Sequence, residues 1–319
     1  MGIFKFIVRR VLFGLLTIFV VASVVFVLTQ VLSDPAKAIL GKDGTGDQLI
    51  AKRVELGLDG TKLHQYLSWL GNLVFHQQAP KSFTNKLGMT EFLGSRMKNS
   101  LFLMGACSVI SIPISIVIGA VAARRRDKAF DSATSGVNQF LAGTPEYVLG
   151  VALLFLFATN VWRVFPGTVR IRPEESPWVS PKQLLLPVLT LVLAVVPYVS
   201  RTMRASTVEV LESDYVEMAR LKGLSERTVL WRHALPNAIG PALQVIAINV
   251  AYLVAGVITV EALFNFPGVG LAMRDAVQGH DATTVQFIAI FISTIYVVVN
   301  LLADVGTILI TPRLRTTIS

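Results

Sequence analysis

Charged residues withdraw from six long stretches of this chain and crowd into the segments between them. Positions 11–32, 101–123, 184–200 and 238–260 carry no charge; 137–159 carries only Glu146, and 285–310 only Asp304. A helix that crosses a membrane needs about 20 mostly apolar residues, each adding 1.5 Å to a path of roughly 30 Å. Five runs meet that length, and 184–200, bounded by Lys182 and Arg201, comes close. The pattern predicts an all-α polytopic membrane protein with six transmembrane helices. The first run follows Lys5, Arg9 and Arg10, as a secretory signal would. It is too long for a signal's apolar core, and no clear small-residue cleavage site follows, so it reads as a retained helix.

Composition agrees. Of 319 residues, 53% are apolar and 15% charged, against about 25% charged in ordinary soluble domains. Lys and Arg exceed Asp and Glu by 29 to 20, and their placement carries the information. With the N-terminus in the cytoplasm, short inner segments hold fifteen basic residues and short outer loops hold five, the bias expected of an inside-positive topology. The other nine lie in 33–98, a segment too long for that rule. Both termini are therefore expected in the cytoplasm. The chain divides into 1–32 (N-terminus and first span), an extracytoplasmic 33–98, a five-helix core over 99–311 with a cytoplasmic loop at 201–241, and a tail at 312–319. No basic stretch is interleaved with stacking aromatics, so the partner surface is lipid and not nucleic acid. Cys107, alone and inside an apolar run, reads as a small apolar side chain.

Two connections carry a pattern of their own. In 33–98, Leu63, Tyr66, Leu67 and Leu70 recur at helical spacing beside Trp69, which predicts a small folded element packed on the membrane face, and 41–47 reads as a loop. In 201–241, Asp214 with Glu217 looks like a capping box opening a helix whose apolar side is Val216, Ala219 and Met218. Gly223 stands where that helix closes, and Ser225 caps a second one. Leu235-Pro236 and Pro241 end that second helix and redirect the chain into the fifth span. The expectation is a helix–Gly–helix elbow, able to rest on lipid or fit a partner's groove.

Glu217-Met218-Ala219, Gly223 and Leu235-Pro236 resemble the EAA loop of ABC importer permeases: Glu-Ala-Ala, three residues, Gly, nine residues, Ile-x-Leu-Pro. Met218 and His233 depart from that form. Arg220, Lys222 and Leu224 around the glycine resemble the dipeptide and oligopeptide subfamily. So do Arg9-Arg10, Asp34-Pro35-Ala36, Gln65-Tyr66, Glu261-Ala262-x-Phe264-x-x-Pro267-Gly268-x-Gly270, Asn300-Leu301-x-x-Asp304 and Pro312-Arg313-x-Arg315, in that order. The resemblance, which covers nearly the whole chain, implies a B-type permease subunit of a type I importer in a bacterial inner membrane. It implies as partners a second permease subunit, usually a paralogue, two ATPase subunits and an extracytoplasmic solute-binding protein. Asp214, Glu217, Ala219, Arg220, Lys222, Gly223, Leu224, His233, Leu235 and Pro236 would form the ATPase-coupling segment. The chain has no Gly-x-x-x-x-Gly-Lys-Ser/Thr loop. It is expected to bind no cofactor and to be no enzyme, leaving ATP and Mg²⁺ to the partner ATPases.

Polar groups within the runs usually face a cavity or a partner. Glu146, directly after helix-breaking Pro145, and Asn249 are candidates for the translocation path. Asn300 and Asp304, four apart on one face, suggest an interhelical clamp. Pro113 and Pro197 read as kinks. The histidines form no ligand-spaced pair, and no catalytic or metal residue is assigned. A secondary transporter is the alternative class, although no internal repeat appears. Within the family, importers of nickel complexes, glutathione, opines or oligosaccharides are alternatives to peptide importers.

Overall fold

The computed structural model describes residues 3–31, 35–40, 46–55, 58, 60–75, 81–82 and 86–310. The tail 312–319, Asp34 and positions 41–45 of the expected loop lie outside them; Gly46 and Asp47 begin a helix instead. In chain order the helices are α1 (Ile3–Phe26), α2 (Pro35–Leu40), α3 (Gly46–Glu55), α4 (Lys62–Phe75), α5 (Met89–Arg124), α6 (Ala129–Ala142) and α7 (Glu146–Leu153). They are followed by α8 (Pro181–Leu211), α9 (Asp214–Leu221), α10 (Glu226–Thr228), α11 (Leu235–Phe264), α12 (Val269–Gln278) and α13 (Ala282–Ile310). Among the described residues no strand forms, only an isolated bridge between Lys81 and Gly88.

Five helical stretches are long and apolar enough to cross a membrane: Lys5–Gln30, Met89–Arg124, Pro181–Leu211, Ala242–Phe264 and Ala282–Gly306. A bent pair, Ala129–Ala142 and Glu146–Thr159, turns through 103° at the break and makes a sixth where the two count as one span. The 137–159 run is therefore not one straight span. Pro145 has no N–H to donate and forces Thr144 away from helical geometry, so the chain turns there and restarts at Glu146.

The helices also outrun the apolar stretches that predict them. α5 begins at Met89, α8 continues past Arg201 to Leu211, and α11 starts at Leu235, so the expected 201–241 loop shrinks to 212–234. Apolarity marks the part of a helix inside hydrocarbon, whereas backbone hydrogen bonding carries the helix beyond it. Arg204, counted with the loop, lies within α8 and forms a two-point ion pair with Asp131 of α6, at 2.5 and 2.6 Å.

The central helix is α8, which packs against α5, α6, α7 and α11. Its buried side chains, among them Leu186, Leu191, Val195 and Val199, are spread around its circumference, as befits a helix enclosed by others. Small residues of α5 (Ser111, Ser115, Gly119) are buried in the bundle, and the Ser115 hydroxyl reaches the Val196 carbonyl of α8 at 3.5 Å. By contrast α1 packs mainly on α13, leaving Leu12, Leu15, Leu16 and Phe19 exposed as a lipid-facing flank.

The segment before α5 is anchored at the far end of α1. The hydroxyls of Tyr66 and Ser23 lie 2.6 Å apart, and the Lys62 ammonium donates to the Gln30 carbonyl at 2.8 Å. Phe26, Tyr66 and Trp69 form a ring cluster, while Leu63 and Leu67 of α4 point away. Ser82 donates to the buried carboxylate of Asp281, tying Ser82 to the start of α13.

Candidate functional site

The elbow between α8 and α11 is built from local rules. Gly223 has φ +78°, a left-handed conformation that lets the N–H groups of Gly223 and Leu224 return to the carbonyls of Arg220 and Ala219. Ser225 then caps α10, its hydroxyl accepting from the Thr228 N–H at 3.3 Å. The expected capping box at Asp214 does not form. The N-cap is Ser213, whose hydroxyl donates backwards to Val210, and no side chain caps α9. Asp214 and Glu217 remain exposed in the first turn, where carboxylates suit the positive end of the helix.

The second correction concerns Pro236. Instead of ending the elbow's second helix, it lies in the first turn of α11, and α10 runs through a π-helical turn, Val229–Ala234, directly into α11. The missing proline N–H falls where the widened turn already breaks the regular ladder. The Asn237 side chain donates to the His233 carbonyl at 2.8 Å, satisfying one acceptor there. The elbow is thus continuous with the fifth span.

Its side chains divide sharply. Val216 and Ala219 are buried against Val229, Val210 and Leu211, so Ala219 presents nothing outward. Leu235 packs on Met203 and Ala238. Arg220 bonds Glu226 at 2.9 Å and the Leu211 carbonyl at 3.2 Å, latching α9 to both neighbours. Left facing out are Tyr215, Met218 and Leu221, the last two 55% and 75% exposed, flanked by Glu217 and Lys222. Met218, expected on the inner side, belongs to this outer face.

The membrane candidates meet on two adjoining clefts. One, of about 220 Å³, is lined by the α6–α7 break with Glu146, Tyr198 and Tyr252. The other, of about 420 Å³, is lined by Arg201, Thr202, Ile248 and Asn249, again with Tyr198 and Tyr252. Tyr252 lines the first cleft with Glu146, and the Tyr198 hydroxyl donates to the Ala142 carbonyl at 3.2 Å, holding the broken end of α6. Asn249 is nearly buried and donates to Val245 of its own helix at 2.8 Å.

Comparison with known proteins bears on the whole chain. Residues 115–316 match the family described as binding-protein-dependent transport system inner membrane component. Residues 3–101 match its N-terminal counterpart. The chain belongs to this family. A protein of Sinorhizobium fredii named as a peptide ABC transporter permease is 31% identical over 317 residues, covering 99% of this chain and 100% of its own. One of Brucella abortus named as a peptide transport system permease is 32% identical over 312 residues, 97% and 98% of the two chains. A nickel import system permease of Staphylococcus aureus is 30% identical over 319 residues, 99% and 93%. The chain is an ABC importer permease subunit of the inner membrane, the membrane component of a system that also contains an ATPase and a binding protein.

Elsewhere in the permease, Asp304 does reach another helix, pairing with Arg10 of α1 at 3.0 Å, but Asn300 donates to the Tyr296 carbonyl of its own helix. The two are therefore not a joint clamp. Sequence reasoning missed a clasp at the other end of α11. Glu261, fully buried, accepts from the Gly270 N–H at 2.6 Å, and a Cβ at Gly268 would strike its carboxylate. Ser100 accepts from the Val269 N–H at 2.9 Å, and Asn99 donates to the carbonyls of Pro173 and Pro267. The sign was a lone carboxylate in the sequence seven and nine residues before two glycines, which apolar-run reading passes over.

Proposed function

We propose that this permease forms, with a second and paralogous permease subunit, the pore of an ATP-driven importer of peptides, and that α9 seats in a groove on one of two ATPase subunits. The observation that carries the reading is the outward face of the elbow. Tyr215, Met218 and Leu221 are exposed on a helix whose inner face and ends are already fixed within the chain. A short apolar ridge flanked by charges suits a helix-in-groove contact. ATP and Mg²⁺ are then bound by the partners, and both termini and the elbow lie in the cytoplasm.

The unbroken path from elbow to α11 supports a route for coupling. Closure of the ATPases on ATP displaces α9, and the displacement passes through the π-turn to the helix that carries Asn249 and Tyr252. Nucleotide favours the outward state by its differential affinity for the two states. Glu146 and Asn249 line the path. The peptide reading follows the relatives named for peptides; the relative named for nickel import favours a second reading, a nickel complex as cargo.

Gentle purification from the native host, with mass spectrometry of what accompanies the chain, tests this. An ATPase, a second permease and a binding protein carrying peptide are expected. A binding protein loaded with nickel selects the second reading. Recovery of the chain alone, with uptake driven by an ion gradient and indifferent to ATP depletion, refutes both.

A further inference from the structure

The two membrane clefts carry opposite charges at their two ends. Glu146 stands at one, at the start of α7, on the cleft it shares with Tyr252. Arg201 stands at the other, one turn beyond Tyr198 on α8 and beside Val245 and Ile248 of α11. Among the described residues neither charge has an ion-pair partner, although ion pairs hold Asp131, Glu212, Glu226 and Asp304 nearby or along the same bundle. Between them lie the rings of Tyr198 and Tyr252 and the amide of Asn249.

The spacing selects a ligand. From Tyr252, which lines one cleft with Glu146, to Val245, which lines the other with Arg201, the rise along α11 is roughly 10 Å at 1.5 Å per residue. A chain of two or three residues spans roughly 7 to 10 Å when extended. The volumes, about 220 and 420 Å³, together suit a small peptide. An unpaired carboxylate in a membrane-spanning segment, as Glu146 is, is costly and is kept where a partner arrives. Here a single partner with a cationic and an anionic end answers both charges.

We propose that these clefts form a transient binding site for zwitterionic short peptides, with Glu146 receiving the free amino terminus, Arg201 the free carboxylate, and Tyr198 and Tyr252 flanking the peptide unit. The inference rests on the peptide reading above and makes it specific: the permease itself, and not only the binding protein, recognises both free ends. Guanidinium meets carboxylate in a two-point geometry that an ammonium cannot reproduce, so Arg201 is a specificity residue and not just an inner-side charge.

The test uses the complete importer in proteoliposomes with saturating binding protein loaded with radiolabelled L-alanyl-L-alanine, so that capture outside is not limiting. Peptide transported and ATP hydrolysed are measured together. Glu146→Gln and Arg201→Gln are each expected to lower peptide transported per ATP about tenfold, the scale of one lost charge-assisted contact, with binding-protein-stimulated hydrolysis retained. Glu146→Asp is expected to recover most of the loss and Arg201→Lys only part of it. Unchanged transport per ATP in both Gln variants overturns the site while leaving a peptide importer standing. Equal loss of transport and hydrolysis, with no recovery by the conservative variants, overturns it too, since that is structural damage. Failure of the wild-type complex to move the dipeptide, with uptake of nickel instead, removes the peptide reading and the site with it.

Discussion

Gly223 is where the elbow's geometry is most exposed to a single substitution. Its φ of +78° lies in the left-handed region, and no heavy atom stands within 4 Å of where a Cβ would be. The cost of a side chain there is therefore purely conformational, with no clash to confuse it. For alanine that cost is about 1–2 kcal/mol; for asparagine, which tolerates this region, it is smaller. Valine fares worse than alanine, because a branched side chain at positive φ is a true outlier. Proline is incompatible: its φ is fixed near −65°, and it removes the N–H that donates to the Arg220 carbonyl at 2.9 Å. Since each 1.4 kcal/mol is tenfold in an equilibrium, alanine depletes the docking-competent elbow by about five- to thirtyfold where that conformation is marginal. Uptake in whole cells should fall in the order Gly, Asn, Ala, Val, Pro, reaching background at proline, with equal amounts of permease in the membrane by immunoblot. Full uptake by Gly223→Pro, or an asparagine variant as inactive as proline, refutes the reasoning.

Three further outcomes follow from contacts in the fold. Asp131→Asn removes the charge that holds Arg204 at two points, on a carboxylate 5% exposed but with the guanidinium 31% exposed, and loss of the charge-assisted contacts of such a half-buried pair costs about 1–2 kcal/mol; thermal unfolding in detergent should detect it. Gly268→Ala drives a methyl into the Glu261 carboxylate, which the Gly270 N–H holds in place, so a loss of about 1–3 kcal/mol is expected by the same assay. Ser225→Ala deletes the cap on α10 at about 1 kcal/mol. It should speed amide exchange across 225–229 while leaving the melting temperature nearly unchanged.

The sequence speaks clearly where one physical demand dominates. Hydrocarbon excludes charge, so four of the six runs are free of it and the other two carry one charge each, and Gly223 and Ser225 declare the elbow because few residues serve at those caps. It speaks poorly where two demands compete. Pro145 and Pro236 look alike in the chain. One turns the path through 103° after Gly143 and Thr144, while the other is absorbed by a π-turn into a continuous helix. The local difference is Gly143, two residues before Pro145, where Ala234 stands before Pro236, and a lone glycine is a weak signal. Ser213 displaced Asp214 as the cap by one residue, a shift within the reach of either side chain. Glu261 was read as part of a family motif, but its burial depends on Gly268 and Gly270 folding back over it, a contact with no periodic signature. Asn300 and Asp304 share a helix face, yet only Asp304 finds a partner, because the partner's position on α1 is a matter of tertiary packing.

The central claim is that α9 is the contact through which an ATPase drives this permease. It is tested most directly by placing a cysteine with a short photocrosslinker at Leu221, on the outer face, and at Val216, on the buried inner face, in the native membrane. The account predicts a crosslink from Leu221→Cys to a Walker-loop ATPase, altered in yield by a trapped ATP analogue, and none from Val216→Cys. Crosslinking of both positions to lipid alone, or to no ATPase under any nucleotide condition, would contradict it.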